Sequence, residues 1–239
     1  MKLERLSEVL NENDARGMIL EGIDHARWRV RESSMFATLA NRYLRLTKRS
    51  IDVDPLCVVW IDPSEIKYVA GGLEPDSSDS YHFQRPSFES RGRNGIGAVI
   101  GGDWDLTSAE FTDLEEYDML KAHFVDRLPW EDTSFYKRHI NEANLPSEVG
   151  TWPKQKLRKR LSRVDSLYHQ IEDNGILSQA SLGGYLLDEI IVYVGRHGDY
   201  YWNENGRHRL AIAKILDLEE VPVLMTIRHS GYIYPNYRQ

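Results

Sequence analysis

The sequence predicts an α+β protein with one long excursion out of its sheet. Three short β-rich segments, "LCVVWI", "EIIVYV" and "VPVLMTIR", lie far apart in the chain, and amphipathic helical patterns lie between them. A stretch rich in Gly, Ser, Pro and Asp interrupts the order after the first strand. We therefore expect an N-terminal helical segment over 1–50, a core made of 51–70 and 151–239, and an inserted subdomain over 71–150.

The composition is that of an ordinary globular protein. Of the 239 residues, 41% are hydrophobic and 28% are charged, which is enough for a sizeable core. The net charge of -7 provides no global basic field for nucleic acid. Cys57 is the single cysteine, so a disulfide within the chain is impossible; we expect a buried thiol and a cytoplasmic location. No run approaches the roughly 20 apolar residues of a membrane span, and the charged N-terminus lacks a signal-peptide core.

The first half of the chain is predicted to contain two helices, two strands and a long loop. The helices cover 2–11 and 33–48, where apolar residues recur at helical spacing. The first strand covers 56–61, and "DPSEI" turns the chain after it. A long loop follows over 71–95, and "IGAVIGGDWD" is predicted to be a strand that runs into a glycine turn.

The second half carries the clearer patterns. A helix over 153–174 has a regular apolar stripe and ends at Gly175. The glycines of "GRHG" predict a hairpin turn between two strands. The remaining predicted elements are a helix over 113–127, a short helix capped by Asp132 or Thr133, strands over 189–194 and 199–202, a helix from Gly206 to Leu216, and a strand over 221–228.

The stretch "NENGRHRLAIAKILDLEEVPV" places cationic side chains at the start of a helix. Gly206 is followed by Arg207, His208 and Arg209. The first amides of a helix have no partners within the helix, and the helix dipole makes that end mildly positive. Backbone amides and guanidiniums together suit phosphate oxygens, so the pattern predicts an anion site. The alternative is that the two arginines are solvated or pair with Glu204, Asp217 or Glu219.

The stretch from Glu189 to Arg228 resembles the core of the ParB/sulfiredoxin superfamily. The shared pattern is a strand, a hairpin strand, a Gly-x-x-Arg box that opens a helix, and a strand that begins at "VPV". The helix "RVDSLYHQIEDNGI" and the segment "VVWIDPSEI" also resemble their counterparts in that superfamily, so the resemblance covers 56–69 and 155–229. It implies a ParB/sulfiredoxin-like core, a small mixed sheet with helices.

The resemblance also implies a nucleotide site. The superfamily contains CTP-binding partition proteins, ATP-using sulfiredoxins and a free-serine kinase, and their boxes hold nucleotide phosphates. Gly206, His208 and Arg209 match the box. Arg207 stands where partition proteins carry Glu and where sulfiredoxins carry their cysteine, so neither activity is expected. The implied cofactors are ATP, ADP or CTP, with Mg²⁺.

The catalytic acids would have to come from outside the box. In "IGGDWD", Asp103 and Asp105 are two residues apart, so along a continuing strand they would share a face and could ligate Mg²⁺ or act as a base. The alternative is a glycine turn beside a core tryptophan. Glu65, after the first strand, and Glu204, before the box, are the other candidates. Arg91 and Arg93 in the long loop could clamp an anionic group.

Three functions remain open from the sequence. The leading prediction is nucleotide binding with phosphoryl transfer to a small-molecule acceptor, as a kinase or an NTPase. The second is a DNA-associated ParB-like protein or nuclease, because six basic residues lie between Lys154 and Arg163 on one helix. The acidic net charge opposes it, and a solvated helix face explains the basic residues equally well. The third is a non-catalytic interaction module.

Overall fold

A computed structural model describes residues 54–71, 73–75, 81–83, 96–106, 109–141, 151–203 and 205–232. The predicted helices at 2–11 and 33–48 and the residues Arg91, Arg93 and Glu204 lie outside these ranges. In chain order, the strands are β1 (Val58–Ile61), β2 (Ile66–Val69), β3 (Leu73–Pro75), β4 (Tyr81–Phe83), β5 (Ala98–Ile100), β6 (Ala109–Glu110), β7 (Ile140–Asn141), β8 (Trp152–Pro153), β9 (Ile190–Val194), β10 (Tyr200–Trp202) and β11 (Val221–His229). The α-helices are α1 (Glu115–Leu120), α2 (Ser134–His139), α3 (Lys154–Asn174) and α4 (Arg207–Ile215).

Seven of the described strands form one mixed sheet, which confirms the α+β prediction. The order is β1-β11-β9-β10-β2-β6, and β5 pairs with β11 beside β1. The central strands β9 and β11 are parallel, β9 and β10 form the predicted antiparallel hairpin, and β10 is parallel to β2. Because β9 and β11 run in the same direction, their carboxyl ends meet at one edge of the sheet and their amino ends at the other.

One face of the sheet is covered by the four α-helices. Alternate strand residues point to this face, as the two-residue period of a strand requires; Ile190 and Val192 of β9 are examples. Tyr193 points to the opposite face, where it packs with Trp104 and Tyr201. The helices contribute apolar side chains to the main core at Met119, Leu120, Phe135, Tyr136, Leu157, Leu161, Val164, Tyr168, Ile171, Leu210, Ala211, Ile212 and Ala213.

Helix α3 matches its prediction closely. Its buried residues follow the predicted stripe, and Gly175 ends it with φ 70°, donating its N–H to the carbonyl of Ile171 at 2.8 Å. The predicted helix over 113–127 is instead interrupted. After α1 the chain forms a π-helical segment, Lys121–Val125, which stacks Phe124 on Tyr168 with ring centroids 3.7 Å apart.

Several described parts of 71–150 pack with the core, whereas β3 and β4 form a separate two-stranded sheet. Strand β5 pairs with β11 and β6 pairs with β2, so both belong to the main sheet. Phe111, Met119 and Phe135 lie in the same apolar core as the strands of the hairpin. The segment that interrupts the sheet order in the sequence therefore supplies two strands to the main sheet and several side chains to its core.

The structure also bears on the predictions for Cys57 and for a membrane span. Cys57 is exposed, which corrects the prediction of a buried thiol, because the strand begins only at Val58 and Cys57 lies in the turn before it. Among the described residues, no helix combines the length and the apolar composition needed to cross a membrane.

Candidate functional site: a cleft at the start of α4

Helix α4 begins directly after Gly206, as predicted. Gly206 has φ 75°, and a Cβ on it would lie 2.6 Å from Cγ1 and 2.9 Å from Cα of Ile190. Only glycine meets both conditions without a shift of the backbone. Among the described residues, no side chain caps the helix, and its first amides have no partner within the helix itself. The helix start is therefore a group of backbone donors packed against the amino end of β9.

The Arg209 guanidinium is held by the residues that lead into β9. Its Nη1 lies 3.4 Å from Oε2 of Glu189, and its Nη2 donates to the carbonyl oxygen of Asp188. The Glu189 side chain is fully buried, and its Oε1 accepts the backbone N–H of Gln179. Burial raises the pKa of Glu189 and lowers that of Arg209, and their mutual attraction offsets part of each change. Arg209 thus carries a structural ion pair.

Arg207 is also paired, but with a residue from α1. Its Nη1 lies 2.7 Å from Oε1 of Glu116. The sequence left open the alternative that the two arginines form ion pairs, and both of them do. Their partners are Glu116 and Glu189 rather than the expected Glu204, Asp217 or Glu219.

His208 differs from its neighbours because its Nε2 atom is buried and makes no hydrogen bond with any described residue. Burial, followed by the charges of Arg207 and Arg160, lowers its pKa to about 3, so the imidazole is neutral at neutral pH. An unpaired buried nitrogen costs about 1–3 kcal/mol unless something binds to it. This atom is consequently the clearest indication of a missing partner at the helix start.

The start of α4 lies in a cleft with a volume of about 710 Å³. The floor is formed by 205–209, and Leu167, Leu182 and Tyr185 provide an apolar wall. Gln179 and Asp188 add polar groups beside the box. The size lies within the range of small-molecule sites, and so does the combination of apolar walls with a few convergent polar groups.

No protein-family model matches this chain, and neither the curated proteins nor the solved structures provide a match. The geometry of the site therefore carries the functional argument.

The structure does not bring Asp103 and Asp105 to the cleft. Strand β5 ends at Ile100, and a turn in which the N–H of Leu106 donates to the carbonyl of Asp103 replaces the continuing strand. Both carboxylates bind the Arg196 guanidinium, at 2.9 Å from Asp103 and 2.7 Å from Asp105. Arg196 follows the carboxyl end of β9, whereas Arg209 contacts its amino end. Five strand residues separate the two sites, on the order of 16 Å.

The Asp105 side chain acts as a structural acceptor. Its exposed fraction is 2%, against 78% for Asp103. Burial alone would raise the pKa of Asp105, but hydrogen bonds from the side chain and backbone of Arg196 lower it below the usual range. In the described part of the chain, no three His, Cys, Asp or Glu side chains meet in an arrangement that could hold a metal ion. The predicted sharing of Mg²⁺ between these two aspartates and a phosphate at the box does not fit this geometry.

Glu65 also lies away from the box. It sits in the 3₁₀ turn Pro63–Glu65 between β1 and β2 and is exposed. That turn contacts the far end of α4, where Lys214 Nζ donates to the carbonyl of Pro63. From Arg207 to Lys214 the helix rises about 10 Å.

The sequence reasoning missed Asp188, the acidic residue among those that line the cleft in the described part of the chain. It also missed Glu116 and Glu189, which hold the two arginines. The only sequence signal was the pair Asp188-Glu189 directly before a buried strand, a position where acidic side chains are seldom placed without partners.

The basic residues of α3 do not line the cleft; this helix contributes Leu167 to it. The Arg158 guanidinium lies 3.1 Å from Glu131, and that of Arg160 lies over the Trp152 ring, 5.0 Å from its centroid. The others are exposed: Lys154, Lys156, Lys159 and Arg163.

Proposed function

We propose that the cleft at the start of α4 binds the phosphate end of a nucleotide. The single observation that carries the proposal is the buried, unpartnered Nε2 of His208 beside uncapped helix amides. A phosphate oxygen can accept hydrogen bonds from both kinds of donor. An anion close to the imidazole also offsets the unfavourable effect of Arg207 and Arg160 on its protonation.

The other half of the cleft suits a base or a similar flat group. Leu167, Leu182 and Tyr185 supply apolar surface beside the phosphate end, and Leu182 is exposed at 55% although it is apolar. Covering such side chains removes apolar area from water, which favours binding by about 25 cal/mol per Å². A ligand with one anionic end and one flat apolar end, such as ATP, ADP or CTP, matches both halves.

Phosphoryl transfer remains the reaction that we propose for this site, with Asp188 as the acid in place of Asp103, Asp105 and Glu65; Glu204 lies outside the described residues. Mg²⁺ is commonly held by one or two carboxylates together with substrate phosphates, and a carboxylate can instead accept the proton of an acceptor hydroxyl. Asp188 lies among the cleft residues and can take either role. Asp188→Asn should abolish turnover while the nucleotide still binds.

The test is thermal unfolding of the full chain with ATP, ADP, CTP or GTP, each with Mg²⁺. A ligand that binds the folded state alone stabilises it by about 2.7 kcal/mol at 100 times its Kd. We expect His208→Gln to weaken the binding by about 10-fold or more, because a hydrogen bond to a charged group is worth about 1.5–3 kcal/mol.

The matched control is His169→Gln, which alters an exposed histidine of α3 outside the cleft. It should bind as the parent does. The proposal is wrong if no nucleotide stabilises the parent, or if both histidine variants retain parental affinity.

The second candidate is contact with a nucleic-acid backbone, favoured by the exposed lysines in the first turns of α3. Such binding would weaken steeply as salt rises, because neutralised phosphates release counterions. We expect no duplex binding at about physiological salt. A salt-sensitive shift of random duplex that is lost when Lys156 and Lys159 are reversed to Glu would instead support this second function.

A further inference from the structure

A second cavity lies at the opposite end of α4 from the nucleotide cleft. It has a volume of about 310 Å³ and lies between the 3₁₀ turn after β1 and the last turn of α4. Phe111, Tyr68 and Tyr117 line it with aromatic surface, and Lys214 projects into it from the helix. The two cavities share no lining residue, so the proposed nucleotide site does not involve this one.

Lys214 is held in an unusual way for a lysine. Its Nζ donates to the carbonyl oxygen of Pro63 at 2.5 Å and lies 5.7 Å from the centroid of the Phe111 ring. Among the described residues, no carboxylate forms an ion pair with it. A neutral carbonyl and an aromatic face stabilise an ammonium less than water and a carboxylate do.

Charged groups of both signs surround this amine. Asp62 favours the ammonium and Lys67 opposes it, while burial, the largest effect, lowers the pKa of Lys214 to about 8. Asp217 and Glu110 also line the cavity. At pH 7 about one tenth of such amines are uncharged, whereas an ordinary lysine with a pKa near 10.4 is almost wholly protonated.

We propose that Lys214 is a nucleophilic amine that condenses in this cavity with a small carbonyl compound carrying an anionic group. The ammonium first releases a proton, and the Nζ lone pair then forms a bond to the carbonyl carbon. The carbonyl oxygen takes up two protons, the one released by the ammonium and one that leaves the nitrogen after the C–N bond has formed, and it departs as water when the C–O bond breaks. The product is an iminium between Nζ and the former carbonyl carbon. No oxidant or reductant is required.

The lining of the cavity selects the class of carbonyl compound. Lys67 lines the same cavity and provides a cation for a carboxylate or phosphate on the compound. Asp62, Glu110 and Asp217 also line the cavity, so the anionic group has to bind at Lys67 and not beside these carboxylates. Small aldehydes and α-oxo acids that can bind in this way are the class that we propose.

The test uses the full chain with glyoxylate and cyanoborohydride at pH 7, and peptide mass mapping reads out which lysines are alkylated. Lys137 is the matched internal control, because its Nζ also donates to one backbone carbonyl, that of Asp132, but the residue is exposed. We expect Lys214 to react at least about 10-fold faster than Lys137, with a half-maximal rate near pH 8.

A second comparison tests the anionic group. Lys67→Gln should slow alkylation of Lys214 by glyoxylate more than alkylation by formaldehyde. Loss of the Lys67 charge raises the pKa of Lys214 and slows both reactions, but only glyoxylate also loses a cation for its carboxylate. The proposal is overturned if Lys214 reacts no faster than Lys137 in the parent protein. If Lys67→Gln slows alkylation of Lys214 by the same factor with both probes, the preference for an anionic compound is overturned.

Discussion

The ion pair between Arg209 and Glu189 makes a quantitative prediction for the protein without ligand. Arg209→Ala leaves the Glu189 carboxylate, which has no exposed surface, without its cation. Removal of one partner of a buried pair costs about 3–5 kcal/mol. Glu189 keeps the backbone N–H of Gln179 as a donor, so we expect the lower end, about 3 kcal/mol. For a chain of this length that lowers the Tm by about 6–12 °C.

The cost should depend on pH in a defined direction. The pKa of folded Glu189 lies above its ordinary value of 4.5, and it rises further when Arg209 is lost. Protonation therefore relieves the folded variant more than its unfolded chain. The difference in stability between parent and Arg209→Ala should be smallest near pH 4.5 and should grow as the pH rises towards 8.

The assay is denaturant unfolding followed by circular dichroism at pH 5 and pH 8, with Arg209→Ala/Glu189→Gln as the matched control. Glutamine still accepts the N–H of Gln179 but carries no charge, so the double variant should recover most of the loss at pH 8. A loss under about 1 kcal/mol at both pH values would refute the assignment of Arg209 to a structural pair and would leave it free to bind phosphate.

Three further predictions concern stability. Gly206→Ala should destabilise the fold by about 1–3 kcal/mol, measured by thermal unfolding, because φ 75° and the contact with Ile190 both exclude a Cβ. Trp104→Ala should cost roughly 3–5 kcal/mol in the same assay, because the ring packs edge-on against Tyr193 and Tyr201. The pKa of Asp105 is lowered from 3.8, so its contribution is present above that pH and is lost as the pH falls below it; Asp105→Asn should remove this acid-sensitive part from the stability profile.

The elements that the sequence predicted well are those specified by local rules. Helix α3 was predicted from the spacing of its apolar residues and from Gly175, and the hairpin from the glycines of its turn. The start of α4 was predicted from Gly206, since few other residues adopt its backbone conformation. These signals lie within a few residues of the feature they predict.

The partners of the charged side chains could not be predicted, because they come from distant parts of the chain. Arg196 and Asp105 are 91 residues apart in sequence and meet only because β5 returns to the sheet beside β11. The assumption that Asp103 and Asp105 continue a strand failed for a related reason. A Gly-Gly pair allows either a strand or a turn, and tertiary packing decides between them.

The donors of the cleft differ in how readily each could bind a phosphate, and their ranking differs from the one that the resemblance implies. Arg209 is committed to Glu189, so an anion that recruited it would leave a buried carboxylate without its cation. Arg207 is half-exposed and its partner Glu116 comes from another helix, so an anion can share this guanidinium at lower cost. Within the described ranges, the helix amides and Nε2 of His208 have no competing partner to lose. A phosphate bound as we propose would therefore depend first on the amides and His208, next on Arg207, and only indirectly on Arg209, which holds the floor of the cleft in place.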